Sequence, residues 1–156
     1  MWQKLKPYII SVLIALGVGG LSALITKDNM NSDFIAPPLS PPPVIFPIVW
    51  TVLYTLMGVS AAIVYEKGKE ENIDITGALG VYIIQLVVNF FWSIIFFNMR
   101  AYLFAFVWIV LLWILIITMI KRFREISPSA AYLQIPYLLW VTFAAYLNLA
   151  IYILNR

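Results

Sequence analysis

Polar positions fall in short clusters along this chain, and between them lie five stretches without a charged residue: 8–25, 44–65, 75–97, 101–120 and 126–154. A helix crosses the hydrocarbon core with roughly 20 apolar residues, and only helices or closed barrels satisfy their backbone in lipid. The pattern predicts an all-α membrane protein, a single five-transmembrane-helix bundle with spans at about 7–26, 44–66, 76–98, 101–120 and 128–154. The first connection, 27–43, is polar and then proline-rich, ending Pro37-Pro38-Leu39-Ser40-Pro41-Pro42-Pro43. Proline fixes φ and favours extended backbone, so this segment reads as a semi-rigid strap, and connections of such length are often functional lids.

Other boundaries follow from local chemistry. The charged segments 66–74 and 121–125 read as water-exposed turns. Asn98-Met99-Arg100 is so short a link that the third and fourth helices must be antiparallel neighbours. Pro47 suits the first turn of the second helix, Ser127 caps the fifth with Pro128 at its first position, and Pro136 predicts a bend inside it. In the first helix Ala15, Gly19 and Ala23 recur at four-residue spacing beside Gly17, Gly20 and Ser22, a face that lets another helix approach closely. Packing within the bundle is the preferred reading of that face; a homodimer through it, or through the Gly80 region, is the other.

Composition narrows the class. Of 156 residues 63% are hydrophobic and 11% charged, and the mean hydropathy of +0.96 excludes a soluble domain. The first apolar run meets Lys27 and Asp28 without a small-residue cleavage site and reads as a retained helix, not a signal peptide. With no cysteine and no histidine the chain offers no disulfide, thiol chemistry or zinc site, and no metal or resident cofactor is expected. Lys4, Lys6, Lys67, Lys69, Lys121, Arg122 and Arg124 flank the spans on one side, against Lys27, Arg100 and Arg156 on the other. This asymmetry predicts a cytoplasmic N-terminus and an outside C-terminus and explains the basic balance without nucleic-acid binding, while a basic N-terminus without a mitochondrial presequence pattern points to a prokaryotic plasma membrane.

The spans lack Asp, Glu, Lys, Arg and His, the usual signature of ion pumping or proton relay, which disfavours a channel. They carry aromatic rings and a few amides instead. Asn89 and Trp92 share a helix face at a spacing of three, Trp50 and Tyr54 at four, and Trp140, Phe143, Ala144, Leu147 and Asn148 form one stripe. Indole faces stack on flat apolar guests, while amides orient polar edges. Trp2, and to a lesser degree Trp108 and Trp113, read as interfacial anchors, whereas Trp50, Trp92 and Trp140 read as pocket lining; Gln85, Asn89 and Asn148 suit interhelical bonds as well as a ligand.

Three ordered blocks carry a resemblance. Phe46-Pro47-Ile48-Val49-Trp50-Thr51-Val52-Leu53-Tyr54-Thr55-Leu56-Met57-Gly58, then Gln85-Leu86-Val87-Val88-Asn89-Phe90-Phe91-Trp92-Ser93-Ile94-Ile95-Phe96-Phe97, then Pro136-Tyr137-Leu138-Leu139-Trp140-Val141-Thr142-Phe143-Ala144-Ala145-Tyr146-Leu147-Asn148 resemble motifs of the tryptophan-rich sensory protein family, also called translocator protein or peripheral benzodiazepine receptor. Two departures stand out: Pro43-Val44 replaces an aromatic-bearing pair, and Phe104 stands where many relatives have tryptophan. The resemblance implies a receptor or transporter for tetrapyrroles such as protoporphyrin IX, and for sterol- or benzodiazepine-type ligands, in a pocket closed by the first loop. It implies ligand contacts from Phe46, Trp50, Tyr54, Asn89, Trp92, Trp140, Phe143, Ala144, Leu147 and Asn148. It also implies an alternative activity, light-dependent oxidative breakdown of bound porphyrin. The chain holds no acid–base pair or nucleophile constellation, so Trp50 and Trp140 are the candidates for that photochemistry. A third reading is an assembly protein without a small ligand. Finally, Leu149, Tyr152 and Arg156 match a weak sterol-contact pattern, for which an ordinary interfacial helix end is the simpler account.

Overall fold

A computed structural model describes residues 2–29 and 35–156; Met1 and the 30–34 portion of the expected strap lie outside the described residues. Helix α1 (Trp2–Thr26) runs into a 3-10 turn, Lys27–Asn29; after the strap come α2 (Ile45–Glu71), α3 (Thr76–Ser93) with a π-helical turn Ile94–Asn98, α4 (Tyr102–Ile126), α5 (Pro128–Leu133) and α6 (Ile135–Asn155). Five segments are long and apolar enough to cross a membrane, the fifth made of α5 and α6 together. Successive crossings alternate in direction. The bundle therefore has a strap end and, opposite it, a basic end carrying seven of the ten lysines and arginines.

α4 is central, packed on α3, α5 and α6, while α1 packs chiefly on α2. The outward faces are apolar, with Leu13, Ile14, Ile83, Ile84, Val107, Ile114 and Leu139 all exposed. Such a surface is stable in lipid and not in water.

α1 and α2 touch backbone to backbone. A Cβ on Gly58 would lie 2.5 Å from Cα of Val12, and Ser11 donates to the Gly58 carbonyl at 2.7 Å. A Cβ on Gly19 would strike the Tyr54 ring, and Ala15, Ser22 and Thr26 are buried on the same side. The small-residue stripe thus works inside the bundle, though Ala23 points outward and Ser22 and Thr26 take its place. Around Gly17, Gly20 and Gly80 an added Cβ meets nothing within 4 Å.

Both charged segments read from sequence as turns remain largely helical. α2 continues to Glu71 and ends where Asn72 adopts a left-handed φ of 54°; α4 continues to Ile126, leaving only Ser127 before α5. Lysine, arginine and glutamate are good helix formers, so charge marks where lipid ends, not where the helix ends. Asp74 accepts from the backbone N–H of Thr76 at 3.0 Å, a bond that holds its carboxyl below its ordinary value. The stabilisation it gives the start of α3 is present at neutral pH and is lost as acid protonates the carboxylate.

The fifth crossing is broken, not merely bent. Ser127 accepts from Ala130 N–H at 3.4 Å to cap α5, with Pro128 at the first helical position. Pro136 then sits in the first turn of α6. Lacking an N–H, it cannot bond the carbonyl four residues back, and the helix restarts at Ile135.

Candidate binding site

α2 and α6 do not pack backbone to backbone, and aromatic side chains fill the space between them. On the lipid-facing side this leaves an apolar groove of about 520 Å³, lined by Ile48, Val49, Val52 and Leu53 of α2 and Pro136, Leu139, Trp140 and Phe143 of α6. The edge of Phe46 meets Trp140 at 5.8 Å between ring centroids, Trp140 meets Phe143 at 5.5 Å, and Phe143 stacks on Tyr146 at 6.1 Å. Trp50 faces inward from the same gap, 5.6 Å from Tyr54 and 6.3 Å from Tyr137. The break before α6 positions this wall, because Trp140 and Phe143 ride on the helix that restarts there.

Behind the rings lies a buried polar chain. Tyr54 donates to Asn89 Oδ1 at 3.4 Å, Asn89 Nδ2 donates to the Tyr137 hydroxyl at 2.8 Å, and Tyr137 donates to Gln85 Oε1 at 2.6 Å. Gln85 Nε2 reaches Met57 Sδ at 3.9 Å. Gln85 and Asn89, four residues apart on α3, thus meet tyrosines from α2 and α6. A second polar contact lies nearer the strap end. The Trp92 indole N–H donates to Asn148 Oδ1 at 3.0 Å, and Asn148 Nδ2 donates to the Tyr102 carbonyl at 2.8 Å, tying α3, α4 and α6 together.

The described part of the strap lies along α6. Tyr146 donates to the Pro38 carbonyl at 2.8 Å. Asn155 accepts from Ile35 N–H at 2.8 Å and donates to the Ile35 carbonyl at 3.1 Å. Pro37 is buried, and Leu39, at φ 70°, turns the chain back toward α2. Because Tyr146 holds the strap and stacks on Phe143, strap and aromatic wall meet directly.

The residues singled out in the sequence fall into three sets. Phe46, Trp50, Trp140 and Phe143 gather at the α2–α6 gap. Tyr54 and Asn89 belong to the buried chain, and Trp92 and Asn148 bond each other, with Trp92 stacked on Phe96 at 5.2 Å. Ala144 and Leu147 are buried along α6. Trp108 and Trp113, read as anchors, donate to the Val88 carbonyl at 2.7 Å and to Thr142 Oγ1 at 2.9 Å. Sequence reasoning did not single out Tyr137, the junction of the polar chain; its spacing of three from Trp140 was the available signal. The aliphatic groove residues carried none, since a lipid-facing Val or Ile looks the same as one lining a groove.

Five apolar crossings with the amides Gln85, Asn89 and Asn148 buried between them, and a strap whose described part lies along α6 at one end, define a multi-pass membrane protein. The TspO/MBR family profile matches residues 10–154, and the chain belongs to that family. It is 41% identical over 158 residues to the tryptophan-rich protein TspO of Chlorobaculum tepidum, covering 99% of both chains. It is 33% identical to the tryptophan-rich protein TspO of Archaeoglobus fulgidus over 98% of this chain and 99% of that one. The translocator protein of Ovis aries is 35% identical over 72% of this chain and 66% of its own length.

Proposed function

We propose that this protein binds tetrapyrroles, protoporphyrin IX foremost, and other flat apolar molecules of sterol or benzodiazepine type, at the aromatic gap between α2 and α6, as a membrane receptor or carrier. The observation that carries this reading is the groove itself: apolar along its whole lining, walled by Trp140 and Phe143, and met by the strap through Tyr146. Relatives named tryptophan-rich sensory protein and translocator protein support the coarser part of it, a receptor or carrier. The groove opens to lipid, so a hydrophobic guest reaches it from within the bilayer. Trp50 and Trp140 supply stacking faces, and each good aromatic pair adds about 0.5–1.5 kcal/mol beyond area burial.

Porphyrin quenching of tryptophan fluorescence tests the reading. Saturable quenching is expected, weakened about tenfold or more by Trp50→Phe with Trp140→Phe. Absence of saturation, or identical curves for this variant, for Asn148→Ala and for wild type, rejects the site. The run of rings from Trp50 to Tyr54 and Tyr137 favours a second reading, in which illuminated bound porphyrin is oxidised by dioxygen with these side chains as radical carriers. An oxygen-dependent product spectrum, formed faster in the complex than from free porphyrin, distinguishes it. We further place the basic end in the cytoplasm of a prokaryotic cell, on the charge asymmetry. Self-association falls to α3 around Gly80, where an added side chain finds open space, and cross-linking of Gly80→Cys in lipid tests it.

A further inference from the structure

The strap end is poor in cations, with Lys27, Arg100 and Arg156 against seven at the basic end, yet two of its three line one cleft. This cleft, about 490 Å³, lies between the start of α4 and the end of α6, and its walls are residues 100–104 on one side and Tyr152, Asn155 and Arg156 on the other, beside the strap that Asn155 holds. Its described lining includes no Asp or Glu, and among the described residues neither arginine pairs with a carboxylate side chain. Arg100 adopts a left-handed φ of 53° at the turn out of the π-helical segment. For a residue with a Cβ that conformation is uncommon, and it fixes where the side chain departs from the backbone. From the guanidinium groups the cleft descends along the exposed apolar side chains of Leu103 and Phe104, toward the hydrocarbon.

Two guanidinium groups on one cleft, neither paired with a carboxylate side chain among the described residues, above an apolar wall, fit a phosphodiester with acyl chains attached. Arginine binds phosphate through two parallel N–H donors. The geometry points to a site for one anionic phospholipid, its phosphate between Arg100 and Arg156 and its chains along Leu103 and Phe104. Tyr152 and Arg156, the residues of the weak sterol pattern at the C-terminal end of α6, find their place in this cleft. The site is separate from the α2–α6 groove, with which it shares no lining residue.

Native mass spectrometry of the full chain in neutral detergent tests it, with phosphatidylglycerol and phosphatidylcholine of matched acyl chains as probes. Phosphatidylglycerol is expected to be retained preferentially, with about fivefold loss for each of Arg100→Gln and Arg156→Gln. Lys67→Gln with Lys69→Gln, at the opposite end, leaves retention unchanged. Circular dichroism confirms that each variant keeps its helices. Equal retention of the two lipids, or arginine variants that match the lysine variant, overturns the proposal. Full displacement of phosphatidylglycerol by excess inorganic phosphate also overturns it, because the cleft is then an anion site without a lipid.

Discussion

Tyr137 shows how much of this interior depends on single polar atoms. Its hydroxyl accepts from Asn89 and donates to Gln85, so removing it strands two buried amides at once. Interhelical bonds in membranes are individually modest, averaging about 0.6 kcal/mol, but a buried group left without a partner costs about 1–3 kcal/mol. Tyr137→Phe is therefore expected to destabilise the bundle by about 1–3 kcal/mol, read as a lower unfolding midpoint in detergent with helical content retained beforehand. An unchanged midpoint means the amides find other partners. The sequence made Gln85, Asn89 and Asn148 legible as groups that must be satisfied, because an amide in hydrocarbon takes any partner within reach. Which partner depends on how α3 meets α2 and α6, and no local pattern encodes that. Trp92 illustrates the same gap: its motif marked the ring as pocket lining, but not that its N–H donates to Asn148 or that it stacks on Phe96.

At the scale of elements, the five crossings were legible because lipid imposes one rule on every residue of a span. The ends of the helices were less so, since the charged residues that leave the membrane at the basic end are themselves helix formers. Glycine gives the sharpest contrast between positions that look alike. Gly58 lies against the backbone of Val12, and Gly58→Ala forces α1 and α2 apart, at about 1–3 kcal/mol for overpacking. Gly17 faces outward with open space, so Gly17→Ala is expected to be neutral or to stabilise α1 by up to about 1 kcal/mol. Unfolding of both variants in the same detergent checks the pair, and equal effects contradict the assigned packing. The strap gives a second test at this scale. Asn155 bonds both backbone groups of Ile35, so Asn155→Ala is expected to speed protease cleavage within the strap several-fold while the five crossings stay intact. If the strap is cleaved no faster, it is held elsewhere and Asn155 is not its latch.

Across the whole molecule, one quantity relates the bundle to its surroundings: the uneven distribution of charge between its ends. The alternation of five crossings puts Lys4, Lys6, Lys67, Lys69, Lys121, Arg122 and Arg124 at one end and the strap at the other, whatever the bundle's orientation. The proposed orientation, basic end in the cytoplasm, rests on cations beside short loops resisting translocation, with seven at one end against three at the other. The chain has no cysteine, so a single introduced thiol reports its side without background. Lys27→Cys, exposed at the strap end, is expected to react with a membrane-impermeant maleimide in intact cells. Lys69→Cys, exposed at the basic end, is expected to react only after permeabilisation. The reverse pattern would put the strap and the Arg100–Arg156 cleft on the cytoplasmic face. The lipid at that cleft would then come from the inner leaflet, while the aromatic gap, open along the side of the bundle, would remain reachable from within the bilayer.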